Sequence, residues 1–146
     1  MVSAMAANSS DRPVLEELDR AECLRLIGGG GVGRVAFDDG EGPTVIPVNY
    51  ELDGDAVVFR TSASGRLNRS LLIRVAGGEV RAAFQVDRFD EPAQEGWSVL
   101  VRGGAHPLSE DEVARVPQVR SWAGDERDAW FRLAGREVSG RRLRHG

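Results

Sequence analysis

Between Thr44 and Thr61 the chain alternates apolar and polar residues, turns, and comes back, and this stretch limits its fold more than any other. Ile46, Val48, Tyr50 and Leu52 fall on one face of an extended run from Thr44 to Leu52. Asp53-Gly54 is a two-residue turn dipeptide and Asp55 to Thr61 returns, so the segment reads as an antiparallel hairpin with one buried face. A lone hairpin is at best marginally stable in water, so further strands must complete it. Val32 to Phe37 supplies one, closing at the turn residues Asp38-Asp39-Gly40. Glu79 to Arg88 supplies another, with Val80, Ala82, Phe84 and Val86 alternating against Arg81, Ala83, Gln85 and Asp87. After a turn around Asp90-Glu91-Pro92, Trp97 to His106 carries Trp97, Val99 and Val101 on one side, and Arg136 to Leu143 reads as the last strand. Six strands joined mostly by hairpins predict a mainly β fold: a small closed or nearly closed antiparallel barrel flanked by short α-helices.

The helices announce themselves through their ends. Pro13 to Ile27 has a helical pattern, as one helix or two short ones, with Pro13 in the first turn and Asp19-Arg20-Ala21-Glu22 spaced like a capping box. The run Gly28-Gly29-Gly30-Gly31 ends it. Ser109-Glu110-Asp111-Glu112 opens a second helix in the same way, and Asp125 to Leu133 reads as another. At 146 residues and 41% hydrophobic the chain has room for one core. The expected organisation is a disordered segment over 1–12 and a single domain over 13–146.

Charge and cysteine usage narrow the function. A net charge of −4 argues against a broad nucleic-acid face or a membrane surface held by charge, so any anion site must be local. All 19 basic residues are arginine, which excludes a Schiff-base lysine and a Walker phosphate loop. Cys23, the single cysteine, reads as a small buried apolar residue, and with His106 and His145 it makes no zinc constellation. The first twelve residues lack a secretory pattern and no run is long enough to span a bilayer, so the protein is expected in the cytoplasm.

The chemistry concentrates in Arg60-Thr61-Ser62-Ala63-Ser64-Gly65-Arg66, which follows an apolar strand and groups two guanidiniums and three hydroxyls around Gly65. Arginine forks bind phosphate oxygens in bidentate fashion, hydroxyls add donors, and glycine lets backbone N–H groups come close. Arg66 to Leu72 reads as helical, which would put the loop at a helix N-terminus. A polar turn with solvated arginines has the same composition. Gly28 to Gly33 matches the dinucleotide pattern G-x-G-x-x-G, but a helix precedes it and a strand follows, the reverse of what that fingerprint requires. Neither histidine sits where a nucleophile could use it, so side-chain acid–base or covalent catalysis lacks support. Trp97, Trp122 and Trp130 could stack on a planar ligand, although core or interface packing is the commoner use of tryptophan.

Taken in order, Glu22-Cys23-Leu24, Val32 to Phe37, Pro47-Val48-Asn49-Tyr50, Val58-Phe59-Arg60-Thr61, Phe84-Gln85-Val86-Asp87 and Gly96-Trp97-Ser98-Val99 resemble the pyridoxamine 5'-phosphate oxidase-like flavin-binding split-barrel family, especially its short actinobacterial-type members. The resemblance covers roughly residues 15 to 143 and is specific as a set. It implies a homodimer of six-stranded antiparallel split β-barrels with FMN at the subunit interface and a small-molecule substrate. It also implies that Arg60, Thr61 and Ser62 form the phosphate segment, to which the loop reading adds Gly65, with Arg66 where members commonly carry lysine. Ile46, Pro47, Val48 and Asn49 would run along the isoalloxazine edge, and Ser98, with Trp97 beside it, would meet the flavin across the interface. Because flavin carries the redox chemistry, no catalytic triad is needed. The end of the chain, Arg142-Leu143-Arg144-His145-Gly146, is out of register with the oxidase's Arg-x-His substrate motif, which argues against pyridoxamine 5'-phosphate as substrate. Relatives on this fold use a deazaflavin coenzyme or bind haem, and a flavin-carrying dimer without enzymatic activity is the remaining alternative.

Overall fold

The structure is a computed structural model that describes residues 12–62, 65, 67, 79–124 and 129–146. Among the described residues eight strands and two short helices follow one another as β1 (Pro13–Leu18), α1 (Arg20–Ile27), β2 (Gly31–Asp38), β3 (Pro43–Asp53), β4 (Ala56–Thr61), β5 (Val80–Asp90), β6 (Glu95–Pro107), α2 (Glu110–Val113), β7 (Ala129–Leu133) and β8 (Glu137–His145). All pair antiparallel, in the order β1-β8-β6-β5-β2-β3-β4-β7, and β7 returns to pair with β6. Strands β2 to β7 thus close a six-stranded barrel. One edge of β6 serves two partners: Gly96–Arg102 pair with β8, and Ala105–Pro107 pair with β7. The barrel splits where one partner gives way to the other.

Two segments read as helical are strands. Asp125 to Leu133 ends in β7, with 125–128 outside the described residues. Its Phe131 and Leu133 are fully buried, and it satisfies the free edges of both β4 and β6. Unpaired backbone along two neighbouring strands outweighs the weak helical preference of five residues. At the start, only Arg20–Ile27 is helical, while Pro13–Leu18 adds an edge strand to β8. There Glu16 faces Arg142 and Glu17 faces Arg141, placing opposite charges across the pair. Pro13 is tolerated because it begins that edge strand. The final strand, expected in the barrel, instead lies outside it as β8, and β7 takes the sixth place. The β3–β4 turn is Gly54-Asp55, one residue later than read, with Gly54 at a φ of +63°. The expected disorder over 1–12 and the helix over 66–72 fall outside the described residues, apart from Arg12 and Leu67.

Inward residues fill the barrel. Val35, Val57, Phe59, Phe84, Val99, Val101, Phe131 and Leu133 are buried essentially completely. Phe59 stacks on Phe131 with ring centroids 5.5 Å apart, and Phe84 meets Tyr50 edge-on at 4.8 Å. Gly33 makes the second contact possible, since a Cβ there would run into the Phe84 ring. Helix α1 caps the barrel. Asp19 accepts from the Glu22 N–H at its start, and Gly30, with φ +71°, turns the chain into β2. Cys23 is buried against Gly140 of β8, as a small apolar residue should be. Glu22 is held by Arg25 at 2.6 Å and Arg142 at 3.0 Å, which keep its carboxyl at about 2.

The Tyr50 hydroxyl donates to the Ile27 carbonyl at 2.8 Å, fastening the end of α1, and burial pushes its pKa up to about 12. The unfolded phenol ionises near its ordinary value of 10, so alkali favours unfolding from there until the folded group also titrates. Stability should therefore fall between about pH 10 and 12. Tyr50→Phe should be less stable at neutral pH by about 1–2 kcal/mol while lacking that component of the alkaline decline. Urea titrations at pH 7, 9, 10 and 11 check both; identical slopes for the two proteins would refute the assignment.

Candidate functional site

On the outside of the barrel, β2, β3 and β4 meet a segment of the α2–β7 connection and enclose a cleft of about 270 Å³. Alternation decides what each strand offers. Val32, Pro47 and Asn49 point outward because Gly33, Val48 and Tyr50 point in. Register places Val32 beside Asn49 and Asn49 beside Arg60, so the three form one outward row across the strands. The far wall is Ser121, Trp122 and Ala123.

Arg60 is the only charged residue among the described residues lining this cleft. Its guanidinium lies 4.9 Å over the Trp130 ring, and Nη1 donates to the Val119 carbonyl at 3.0 Å. It is thus oriented by contacts with two elements before any ligand arrives. Thr61, at the end of β4, is 7% exposed and also lines the cleft. Ser62 follows half-buried, and its carbonyl accepts from the Gly65 N–H at 3.0 Å, closing a tight turn. Ala63, Ser64 and Arg66 lie outside the described residues. Of the described residues of the 60–66 segment, Arg60 and Thr61 line the cleft, whereas Ser62 and Gly65 do not.

The 46–49 segment divides. Pro47, Val48 and Asn49 line the cleft, whereas Ile46 packs against the core. Val48 is 4% exposed and can offer little beyond its backbone. The Asn49 side chain is already engaged at both ends: Nδ2 donates to the Gly31 carbonyl at 3.3 Å, and Oδ1 accepts from the Trp122 N–H at 2.8 Å.

Trp97 and Ser98 lie elsewhere. Ser98 lines a separate cleft of about 610 Å³ with Gln85, Leu100 and Ser139, while Trp97, on the opposite face of β6, packs against the core. Since β5 and β2 separate β6 from β3, Ser98 is about 14 Å from Asn49 by strand spacing alone. Within one chain the two do not meet.

The sequence weighed Trp122 among three tryptophans without favouring it, and missed Val32, Ser121 and Ala123. The only local signal was that Trp122 stands among Ser121, Ala123 and Gly124, none of which can build a core around an indole. His106 and His145 do not line the cleft, and the His145 ring lies 3.7 Å from Glu95. Among the described residues no group of three or more His, Cys, Asp or Glu side chains could hold a metal, and no helix is long and apolar enough to cross a membrane.

Known proteins resemble this chain over most of its length. The uncharacterized protein Rv0080 of Mycobacterium tuberculosis is 32% identical over 143 residues, spanning 97% of this chain and 93% of that protein. A candidate pyridoxamine 5'-phosphate oxidase from Corynebacterium glutamicum superposes with a TM-score of 0.73 at 24% identity, covering 93% of this chain and 97% of the other. An FAD binding protein from Mycobacterium smegmatis gives 0.66 at 24% identity, covering 90% and 100%. A heme binding protein from the same organism gives 0.62 at 24% identity, covering 83% of this chain and 53% of that one. At such identities the structures attest the fold alone. The pattern of the pyridoxamine 5'-phosphate oxidase family matches residues 19–142, and together with the split barrel this means that the chain belongs to that family.

Proposed function

We propose that the protein is a cytoplasmic FMN-binding oxidoreductase that acts as a homodimer on a small molecule, with the cofactor seated in the cleft between β3, β4 and the 121–123 segment. The observation that carries the reading is that this cleft joins a strand edge with little side chain, Pro47-Val48, to an oriented arginine and a buried threonine. A planar ring can lie close to such an edge, and a phosphate calls for such donors. The lining fits the group: Arg60 and Thr61 would hold its phosphate, with Ser62 next to them in the chain, and the 47–49 backbone its ring. When bound, the flavin supplies the redox chemistry. This chain supplies binding, orientation and an open face for the substrate.

The dimer is part of the proposal because the cleft is shallow for a ligand of flavin size. At about 270 Å³ it falls below the usual range for small-molecule pockets, so a flavin would extend beyond it. A second copy would cover the rest and bring its own Ser98 surface, which in one chain lies too far away. A flavin-binding structural neighbour supports flavin as the cofactor class. One arginine-led phosphate segment favours a mononucleotide. The same cleft suits a deazaflavin coenzyme, which would make the protein a deazaflavin-dependent reductase. Haem is less well served, because no histidine lines the cleft.

Titration of FMN, deazaflavin and haem into cofactor-stripped protein, with sedimentation before and after, tests the reading. Tight FMN binding by a dimer, with flavin absorption bands, is expected. Binding of deazaflavin alone would transfer the protein to the reductase alternative. A loaded dimer inert toward every electron donor would point to a flavin carrier, and failure to bind any of the three would refute the reading.

A further inference from the structure

The most exposed large apolar side chain among the described residues is Trp122, at 79%, and it stands at the mouth of the cleft. Leaving an indole in water forgoes the largest apolar gain any side chain can make, so its position needs a cause. Its backbone is nonetheless fixed. The Trp122 N–H donates to Asn49 Oδ1 at 2.8 Å, the Ala123 N–H donates to Ser121 Oγ at 3.2 Å, and three residues earlier Val119 is buried with its carbonyl bonded to Arg60. The segment is tied down at two points, and what it presents beside the cleft is one unpacked aromatic ring.

Asn49 explains how the ring comes to be there. Its carboxamide bonds the chain on both sides of the cleft, to Gly31 at the start of β2 and to Trp122 on the opposite wall. Spent on those bonds, it serves the architecture and not a ligand. We propose that Trp122 is the ring-recognising wall of this cleft and that Asn49 is the positioning residue that sets it, so that the site selects for a planar face independently of the phosphate. The inference rests on the flavin reading above and adds a specificity determinant to it. Stacking on Trp122 would act on the ring, whereas Arg60 and Thr61 act on the anion, so the two can be separated with riboflavin, which has the ring and no phosphate.

The test measures FMN and riboflavin affinity of the full-length protein for wild type, Trp122→Phe, Trp122→Ala, Asn49→Ala and the Asn49→Ala/Trp122→Ala double variant, with circular dichroism confirming the fold. Trp122→Ala should weaken both ligands by the same factor, about tenfold or more, and Trp122→Phe should retain most of the affinity. Asn49→Ala should weaken both, and the double variant should bind no worse than Trp122→Ala, because Asn49 acts through the indole. In protein labelled with 5-fluorotryptophan, the resonance missing from Trp122→Phe should be the one FMN shifts most. Wild-type-like binding by Trp122→Ala would overturn the inference and leave the flavin reading standing, as would additive effects of the two substitutions for the role of Asn49. A wild type that binds no flavin would overturn the flavin reading and this inference with it.

Discussion

Arg60→Ala should raise the dissociation constant for FMN about 100-fold while leaving that for riboflavin within a few-fold. A guanidinium on a phosphate makes charge-assisted bonds worth about 1.5–3 kcal/mol each, and a partly enclosed site retains most of that value. Loss of one such paired contact corresponds to roughly 3 kcal/mol, or two decades in affinity. Arg60→Lys keeps the charge but gives up the planar fork and its seat over Trp130, and should fall between. Riboflavin is the needed control because Arg60 also holds the Val119 carbonyl. Were the effect due only to loosening of the 119–123 wall, both ligands would weaken alike, and the phosphate role would be lost. Calorimetric titration of both ligands into wild type and the two variants decides the matter.

How much of this was legible beforehand depends on where each cause resides. The sequence located five of the six barrel strands, β2 to β6, because the cause lies within or next to their own residues: β2, β3, β5 and β6 alternate, and β4, an unbroken apolar run, follows a turn dipeptide. Ala129-Trp130-Phe131-Arg132-Leu133 has no such local cause: five residues with three large apolar side chains suit either period. Its strand character comes from β4 and β6, and neither is a sequence neighbour. The first strand is a similar case, since the arginines opposite Glu16 and Glu17 lie at the far end of the chain. The site divides along the same line. Arg60-Thr61 were singled out by the composition of their own loop and Pro47-Val48-Asn49 by the family resemblance, and the β3–β4 hairpin sets the two side by side. The third wall was missed because it is tied to Asn49 across 73 positions and to Arg60 across 59.

That dependence on β7 gives the second large effect. Phe131→Ala should cost about 3–5 kcal/mol, measured by urea denaturation at fixed protein concentration. Phe131 is fully buried, stacks on Phe59, and belongs to the strand that closes the barrel, so little can collapse into the space it leaves. Phe131→Leu keeps most of the volume and should cost much less. The same change should reach the cleft, because Trp130 pairs with Arg60 across β4 and β7 and carries its guanidinium. At temperatures where Phe131→Ala is still folded, its FMN affinity should drop more than its riboflavin affinity, in the manner of a weakened Arg60. A loss of stability below about 1 kcal/mol would mean that β7 is not the closing strand of a packed barrel. A full loss of stability with unchanged FMN binding would mean that Arg60 does not depend on Trp130 for its orientation.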